Sequence, residues 1–175
     1  TAIAAFQLGL RVHVMEHHAN SPAGQIAHRE TVAAPSDHVA LLHFASTCDV
    51  ITLESEFIEE SHLMVIERAG FILRPGAGSV GKIQDKLIQK QTFDDAGIPV
   101  AAFRGVANVA QAEAFGKEFG YPFVLKSRRN GYDGYGNATI RTPEEIPAGW
   151  EKITQGDAAR ELYCEAFIPF VKGLP

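Results

Sequence analysis

No apolar run in this 175-residue chain approaches twenty residues, so no membrane-spanning helix is predicted. There is no basic excess either. Lys and Arg number 16 against 21 Asp and Glu, a formal charge of −5. Nucleic-acid binders usually present a basic face, so no nucleic-acid partner is expected. Cysteine is scarce: Cys48 and Cys164 are the two present, both in apolar, strand-like surroundings. They read as reduced, buried thiols rather than as a disulfide or a metal pair. All seven histidines (13, 17, 18, 28, 38, 43 and 62) fall in the first 62 residues, without acids or cysteines at ligand spacing, so no metal site is expected among them. No basic-then-apolar leader opens the chain, which suggests a cytoplasmic protein. Internal repeats and low-complexity tracts are absent. Two phosphate-binding signatures are missing as well. No Gly-x-x-x-x-Gly-Lys-Ser/Thr occurs, which excludes a P-loop. Gly131-Tyr-Asp-Gly-Tyr-Gly136 does not read Gly-x-Gly-x-x-Gly and no helix is predicted after it, so the dinucleotide fingerprint fails too.

What is present centres on Tyr121–Asn137. Pro122–Leu125 reads as a short buried strand that delivers Lys126 at its end. Arg128 and Arg129 lead into glycines at 131, 134 and 136 around Asp133, and Asn137–Arg141 carries the β-branched residues of a second strand. Strand, glycine-rich turn and strand make a flap. Glycines let backbone N–H groups approach an anion closely, because no Cβ intervenes. A lysine at the strand end adds a point charge for phosphate oxygens. A plain hairpin would also use glycines in its turn, but the lysine and paired arginines favour an anion clamp.

The first part alternates helices and strands: helix 2–8, strand 10–15, short strand 30–34, helix from Asp37 to about 45, strand 49–53, helix 59–69, short strand 71–73. Short loops between them point to an open, mostly parallel sheet with helices on its faces. The pattern changes near Pro75. Helices are predicted over 76–81 and 85–96, the second with an apolar stripe of Leu87, Ile88, Phe93 and Ala96. Asp85 and Lys86 lie in that charge-rich helix, where an exposed face is the ordinary expectation. A strand at 100–103, a helix at 106–120, the hairpin, a helix opening at Thr142-Pro143 and a strand at 161–167 complete an α+β unit. The fold class is therefore α/β, an open mostly parallel N-terminal sheet over 1–76 followed by a small α+β unit over 77–175. Both ends read as cut, which suggests a fragment.

Val80–Lys90 with Gly97-Ile-Pro99, then Val124–Asn137, then Glu161–Phe170 resemble the ATP-grasp enzymes. Among these the chain is most similar to the carboxyaminoimidazole ribonucleotide synthetases, and Ser21–His28 with Val50–Glu56 extend the likeness to the N-terminal part. The resemblance implies that Lys86 is a basic ATP contact and that Lys126 reaches the phosphates and is catalytic. It implies a closing flap of Gly131, Tyr132, Asp133, Gly134, Tyr135, Gly136 and Asn137, and an adenine hinge of Glu165, Ala166, Phe167 and Ile168 that reads the base through backbone groups. Tyr132, Asp133, Glu54 and Glu56 then face the ribonucleotide. Glu54 and Glu56 also share one face of a predicted strand end, where ligands of open α/β sheets gather. Tyr135 stands where the family pattern has Arg or Lys, so one flap charge is missing.

The resemblance further implies a ligase using ATP, Mg²⁺ and bicarbonate to carboxylate the amine of 5-aminoimidazole ribonucleotide through carboxyphosphate. The Mg²⁺ ligands are expected outside this chain, and the piece alone is expected to be inactive. A homodimer is expected, with a mutase as partner or fused domain. The alternatives are another ATP-grasp ligase, of the biotin carboxylase or glycinamide ribonucleotide synthetase type, or a non-catalytic nucleotide-binding fragment.

Overall fold

The computed structural model describes residues 1–131 and 136–170. The chain divides into two compact units, Thr1–Gly81 and Lys82–Pro175. In the first, helix α1 (Ala2–Gln7) closes at Gly9, whose φ of 72° is one a side chain disfavours. Strands β1 (His13–Glu16) and β2 (Arg29–Val32) pair in parallel, from His13 opposite Arg29 to Glu16 opposite Val32. Helix α2 (His38–Ser46) starts where the sequence places it: the Asp37 carboxylate accepts the N–H groups of Val39 and Ala40 at 3.1 Å each. Helix α3 (Glu60–Arg68) follows. Leu41, Phe44, Ala45, Leu63, Ile66, Leu73 and Val80 form the core between these elements.

The expected strands at 49–53 and 71–73 shrink to one parallel bridge between Ile51 and Leu73. Ile51 N–H donates to Ile72 at 2.8 Å and Arg74 N–H to Ile51 at 2.8 Å. Val50 and Ile72 stay about half exposed, so no second covered face rewards further pairing. Cys48 is correspondingly not in a strand; it lies just past α2, half-buried, with its N–H bonded to Ala45.

Helix α4 (Ala77–Gln84) spans the division between units. The second unit then runs α5 (Lys86–Asp95), β3 (Phe103–Val106), α6 (Val109–Phe119), β4 (Phe123–Ser127), β5 (Asn137–Ile140), a 3₁₀ turn at Pro143–Glu145, α7 (Ile146–Thr154) and β6 (Leu162–Ala166). Its sheet has the order β3-β6-β4-β5 with every neighbour antiparallel. Strand β3 lies three residues later than the apolar run at 100–103 suggested, because its pairing with β6 sets it from Phe103 opposite Glu165. Helix α6 starts later for a local reason: the Asn108 side chain accepts Gln111 N–H at 3.0 Å.

One face of this sheet is apolar. Phe123, Leu125, Ile140, Leu162 and Cys164 pack with Phe115 of α6 and Ile146 and Ile153 of α7. Burial pushes the Cys164 thiol up to about 12, which leaves it an inert core residue. The expected apolar stripe of α5 is not used in this way. No α5 residue is buried, and Ile88 and Phe93 are 40% and 41% exposed. Leu87 meets the sheet closely over Gly105, where a side chain would come within 2.9 Å of it.

Candidate functional site

Side chains alternate across a strand, so the apolar face of β4 forces its neighbours to the other side. Phe123, Leu125 and Ser127 are buried towards α6 and α7, which turns Val124 and Lys126 to the opposite face. The register puts Lys126 opposite Tyr163 on β6 and opposite Asn137 on β5. Glu165 lies two residues beyond Tyr163 and therefore on that same face. Lys126 is the fourth residue of its strand rather than its end, and its ammonium is already engaged: Nζ donates to Glu165 Oε2 at 2.7 Å. Lys90, from α5, reaches the other oxygen, Oε1, at 2.5 Å. Burial pushes the Glu165 carboxyl up, but the bonds from Lys126 and Lys90 outweigh it and hold the group below its ordinary range.

The Glu165 side chain is thus ion-paired within this unit, beside the backbone role that the resemblance implies for it. Ala166 N–H donates to the carbonyl of Ala102 at 2.8 Å. Phe167 and Ile168 follow β6 and are 41% and 55% exposed. Tyr163, between the acids, is 2% exposed; burial, and then Glu165 and Asp85, push its phenol up.

A second cluster joins α5 to the end of β4. Asp85 is 1% exposed, not on an open helical face as expected. It caps α5 by accepting Leu87 N–H at 3.0 Å and Ile88 N–H at 3.3 Å. Arg128 grips both carboxylate oxygens, Nε to Oδ1 at 3.1 Å and Nη2 to Oδ2 at 2.6 Å. Burial raises the Asp85 carboxyl, but Arg128 and the two capping amides more than compensate and it is lowered overall. Arg128 also reaches Glu161 at 2.8 Å, and Arg129 approaches Asp85 at 3.5 Å. Lys86 N–H donates to the Arg128 carbonyl at 2.8 Å, which ties the start of α5 to the hairpin. The sequence assigns no site role to Asp85 or Lys90, whereas Arg128, with Arg129, is marked there as favouring an anion clamp. An Asp directly before a helical run is an N-cap signal, and that was the clue available for Asp85. For Lys90 no pattern exists, because its partner is 75 residues away on another element.

The hairpin itself closes on glycine. Ser127 N–H donates to the Gly136 carbonyl at 2.8 Å, and the Gly131 and Gly136 backbones touch. A Cβ on Gly136 would collide with Gly131 Cα, and one on Gly131 would sit 3.3 Å from Gly136 Cα. Glycine is needed here for close approach. Asn137 opens β5 beside Lys126. Tyr132, Asp133, Gly134 and Tyr135 lie outside the described residues. The ion pairs of the two clusters join Lys90, Lys126, Arg128 and Arg129 to Asp85, Glu161 and Glu165. One positive charge is left over in a chain that is negative overall, which favours an anion. A cleft of about 620 Å³ in this unit borders the Arg128 cluster: it is lined by Arg128, Trp150, Thr154, Arg160 and Glu161 and contains neither Lys126 nor Glu165.

Two family models match the chain in tandem. A ribonucleotide synthetase preATP-grasp domain covers residues 1–84 and an ATP-grasp domain covers 91–174. Residues 91–174 are similar to ATP-grasp domains. N5-carboxyaminoimidazole ribonucleotide synthase of Synechococcus elongatus is 36% identical over 173 residues, 99% of this chain and 43% of that protein. Phosphoribosylaminoimidazole carboxylase of Schizosaccharomyces pombe is 36% identical over 95% of this chain and 30% of its own length. Among solved ATP-grasp structures, the Staphylococcus aureus N5-carboxyaminoimidazole synthetase with ADP superposes with a TM-score of 0.84 at 29% identity, over 95% of this chain and 43% of that one. The Aspergillus clavatus synthase with ADP and 5-aminoimidazole ribonucleotide gives 0.83 at 28%, over 97% and 43%. The biotin carboxylase domain of Hydrogenobacter thermophilus 2-oxoglutarate carboxylase gives 0.76 at 20% identity, which shows the shared fold alone. The chain thus spans less than half the length of these curated relatives.

In the first unit Glu54 and Glu56 lie in a bend after the Ile51 bridge, Glu54 exposed and Glu56 half-buried. The one-face argument made for them as strand residues therefore does not hold. Among the described residues no three His, Cys, Asp or Glu side chains gather as a metal set, so no magnesium step is assigned to these residues. No helix among them is long and apolar enough to cross a membrane.

Proposed function

We propose that the protein is an ATP-dependent ligase that carboxylates the amine of 5-aminoimidazole ribonucleotide with bicarbonate, and that the second unit binds the nucleotide. The observation that carries the reading is the likeness, over 97% of this chain, to a synthase solved with ADP and 5-aminoimidazole ribonucleotide. In the same unit a lysine-rich sheet face stands beside a hairpin closed on glycine. Bicarbonate attacks the γ-phosphoryl group to give carboxyphosphate and ADP, and the exocyclic amine then takes the carboxyl group with release of phosphate. The protein's contribution is positioning and charge neutralisation. Lys126 supplies a cation to phosphate oxygens, Lys86 a second at the start of α5, and the hairpin covers a labile acyl phosphate from water. In this reading Glu165 through Ile168 meet the adenine, and Glu54 and Glu56 of the first unit contact the ribonucleotide. The same reading makes the protein a cytoplasmic homodimer whose product passes to a mutase, carried on a fused domain or a partner.

The test is ADP release by the intact protein with ATP, bicarbonate and 5-aminoimidazole ribonucleotide, each omitted in turn, with the product followed by ¹³C NMR from labelled bicarbonate. A carbamate carbon that appears only with all three supports the reading. ADP release that is indifferent to the ribonucleotide, or that biotin supports in its place, overturns it.

A further inference from the structure

Two lysines from different elements share one carboxylate on the site face. Lys90 Nζ sits on Glu165 Oε1 at 2.5 Å and Lys126 Nζ on Oε2 at 2.7 Å, one oxygen to each. The three side chains differ in exposure: Lys90 is 17% exposed, Glu165 13% and Lys126 33%. Lys126 is thus the partner that solvent, or an incoming anion, reaches. Lys90 lies deeper, and nothing in the nucleotide-binding reading gives it a role.

We propose that Lys90 is a positioning residue that lets Lys126 pass from Glu165 to a nucleotide phosphate. The proposal rests on the nucleotide-binding reading of this unit. A lysine can bond a phosphate oxygen only at the expense of the bond it already makes. If Lys126 were the sole counterion of Glu165, its departure would leave a largely buried carboxylate unpaired, which costs several-fold more than losing one exposed pair. Lys90 removes that cost. It keeps Oε1 neutralised while Oε2 gives up its partner, so the triad of two cations and one anion offers one surplus positive charge to the phosphate. No atom need travel far, because Lys126 and Glu165 are diagonal neighbours on adjacent strands.

The alternatives are that Lys90 touches the nucleotide itself or only supports the fold, and a double-mutant cycle separates them. ADP affinity is measured by calorimetry for the unaltered protein, Lys90→Met, Glu165→Gln and the double variant, with Lys90→Arg as the conservative control. The expected result is that Lys90→Met weakens ADP binding about fivefold, the margin of one charge-assisted hydrogen bond over a neutral one. The same change made in the Glu165→Gln background should cost nothing, and Lys90→Arg should restore binding. Equal losses in both backgrounds, or an unaltered affinity in Lys90→Met, overturn the hand-off while the nucleotide reading stands. Failure of the unaltered protein to bind ADP overturns the nucleotide reading and the hand-off with it. Thermal melts of each variant show whether it folds. Should Lys90→Met fail to fold, the cycle is run with Lys90→Gln, and the same pattern of losses decides.

Discussion

At Lys126 the ammonium is already shared with Glu165, so removing it acts on binding more than on folding. In Lys126→Ala the Glu165 carboxylate keeps Lys90 at 2.5 Å, and no buried charge is stranded. A charged contact to phosphate is worth about 1.5–3 kcal/mol, so ADP affinity should fall by about ten- to a hundredfold while the melting temperature barely moves. Calorimetry and a thermal melt check the two halves, and an unchanged ADP affinity would remove Lys126 from the site. His13 gives a residue-scale prediction in the other unit. Its Nδ1 lies 2.8 Å from Thr47 Oγ1, and that hydroxyl already donates to the Phe44 carbonyl at 2.7 Å. Thr47 must therefore accept, which puts the proton on Nδ1 and leaves Nε2 to accept from Thr31, also at 2.8 Å. Burial, then Arg29, then His43 lower the imidazole below its ordinary 6.5. A group that protonates less readily folded than unfolded takes up more protons in the unfolded state as the pH falls. Stability should therefore drop as the pH goes below about 6.5 and level off once the folded imidazole titrates. Thermal melts between pH 7.5 and 5 should show the loss, and His13→Gln should flatten it.

At the scale of elements, α5 depends on one carboxylate for both its start and its attachment to the sheet. Asp85 caps it and holds Arg128 of the hairpin's entering strand. Asp85→Ala should cost about 2–3 kcal/mol in urea unfolding, about one from the cap and the rest from removing the bidentate partner of Arg128, which is left with the exposed Glu161 alone. Asp85→Asn keeps an acceptor for the helix and should lose less. Equal losses would mean that the cap contributes nothing. The hairpin makes a steric prediction. Gly136→Ala brings a Cβ into the Gly131 backbone and should destabilise the second unit by about 1–3 kcal/mol, whereas Gly131→Ala, with 3.3 Å of room, should be milder. Both compare directly by denaturant midpoint. These elements were visible in sequence wherever a local signal existed: the Asp37 cap, the helix over 60–68, the paired strands around the glycines. Strand bounds were not, because β3 and the Ile51 bridge are set by hydrogen-bond partners elsewhere in the chain.

Taken whole, the molecule keeps the ribonucleotide and nucleotide duties on different units under the proposed reading, so substitutions should separate them kinetically. Glu54 is exposed in the first unit, just after the Ile51 bridge, and Glu54→Gln in the intact protein should raise KM for 5-aminoimidazole ribonucleotide while leaving KM for ATP near its original value. If both rise together, the carboxylate is structural. The sequence by itself determined the α/β class, the change of pattern past Pro75, the hairpin and its lysine, because each rests on residues adjacent in the chain or repeating at a strand or helix period. It also carried the family resemblance, through motifs short enough to be read locally. Tertiary structure alone decided which charges are paired. Lys90, Lys126 and Glu165 come from a helix and two strands, and Asp85 is buried by Arg128, 43 residues away. Charge pairing depends on distance in space at low dielectric, and no periodicity along a chain encodes it.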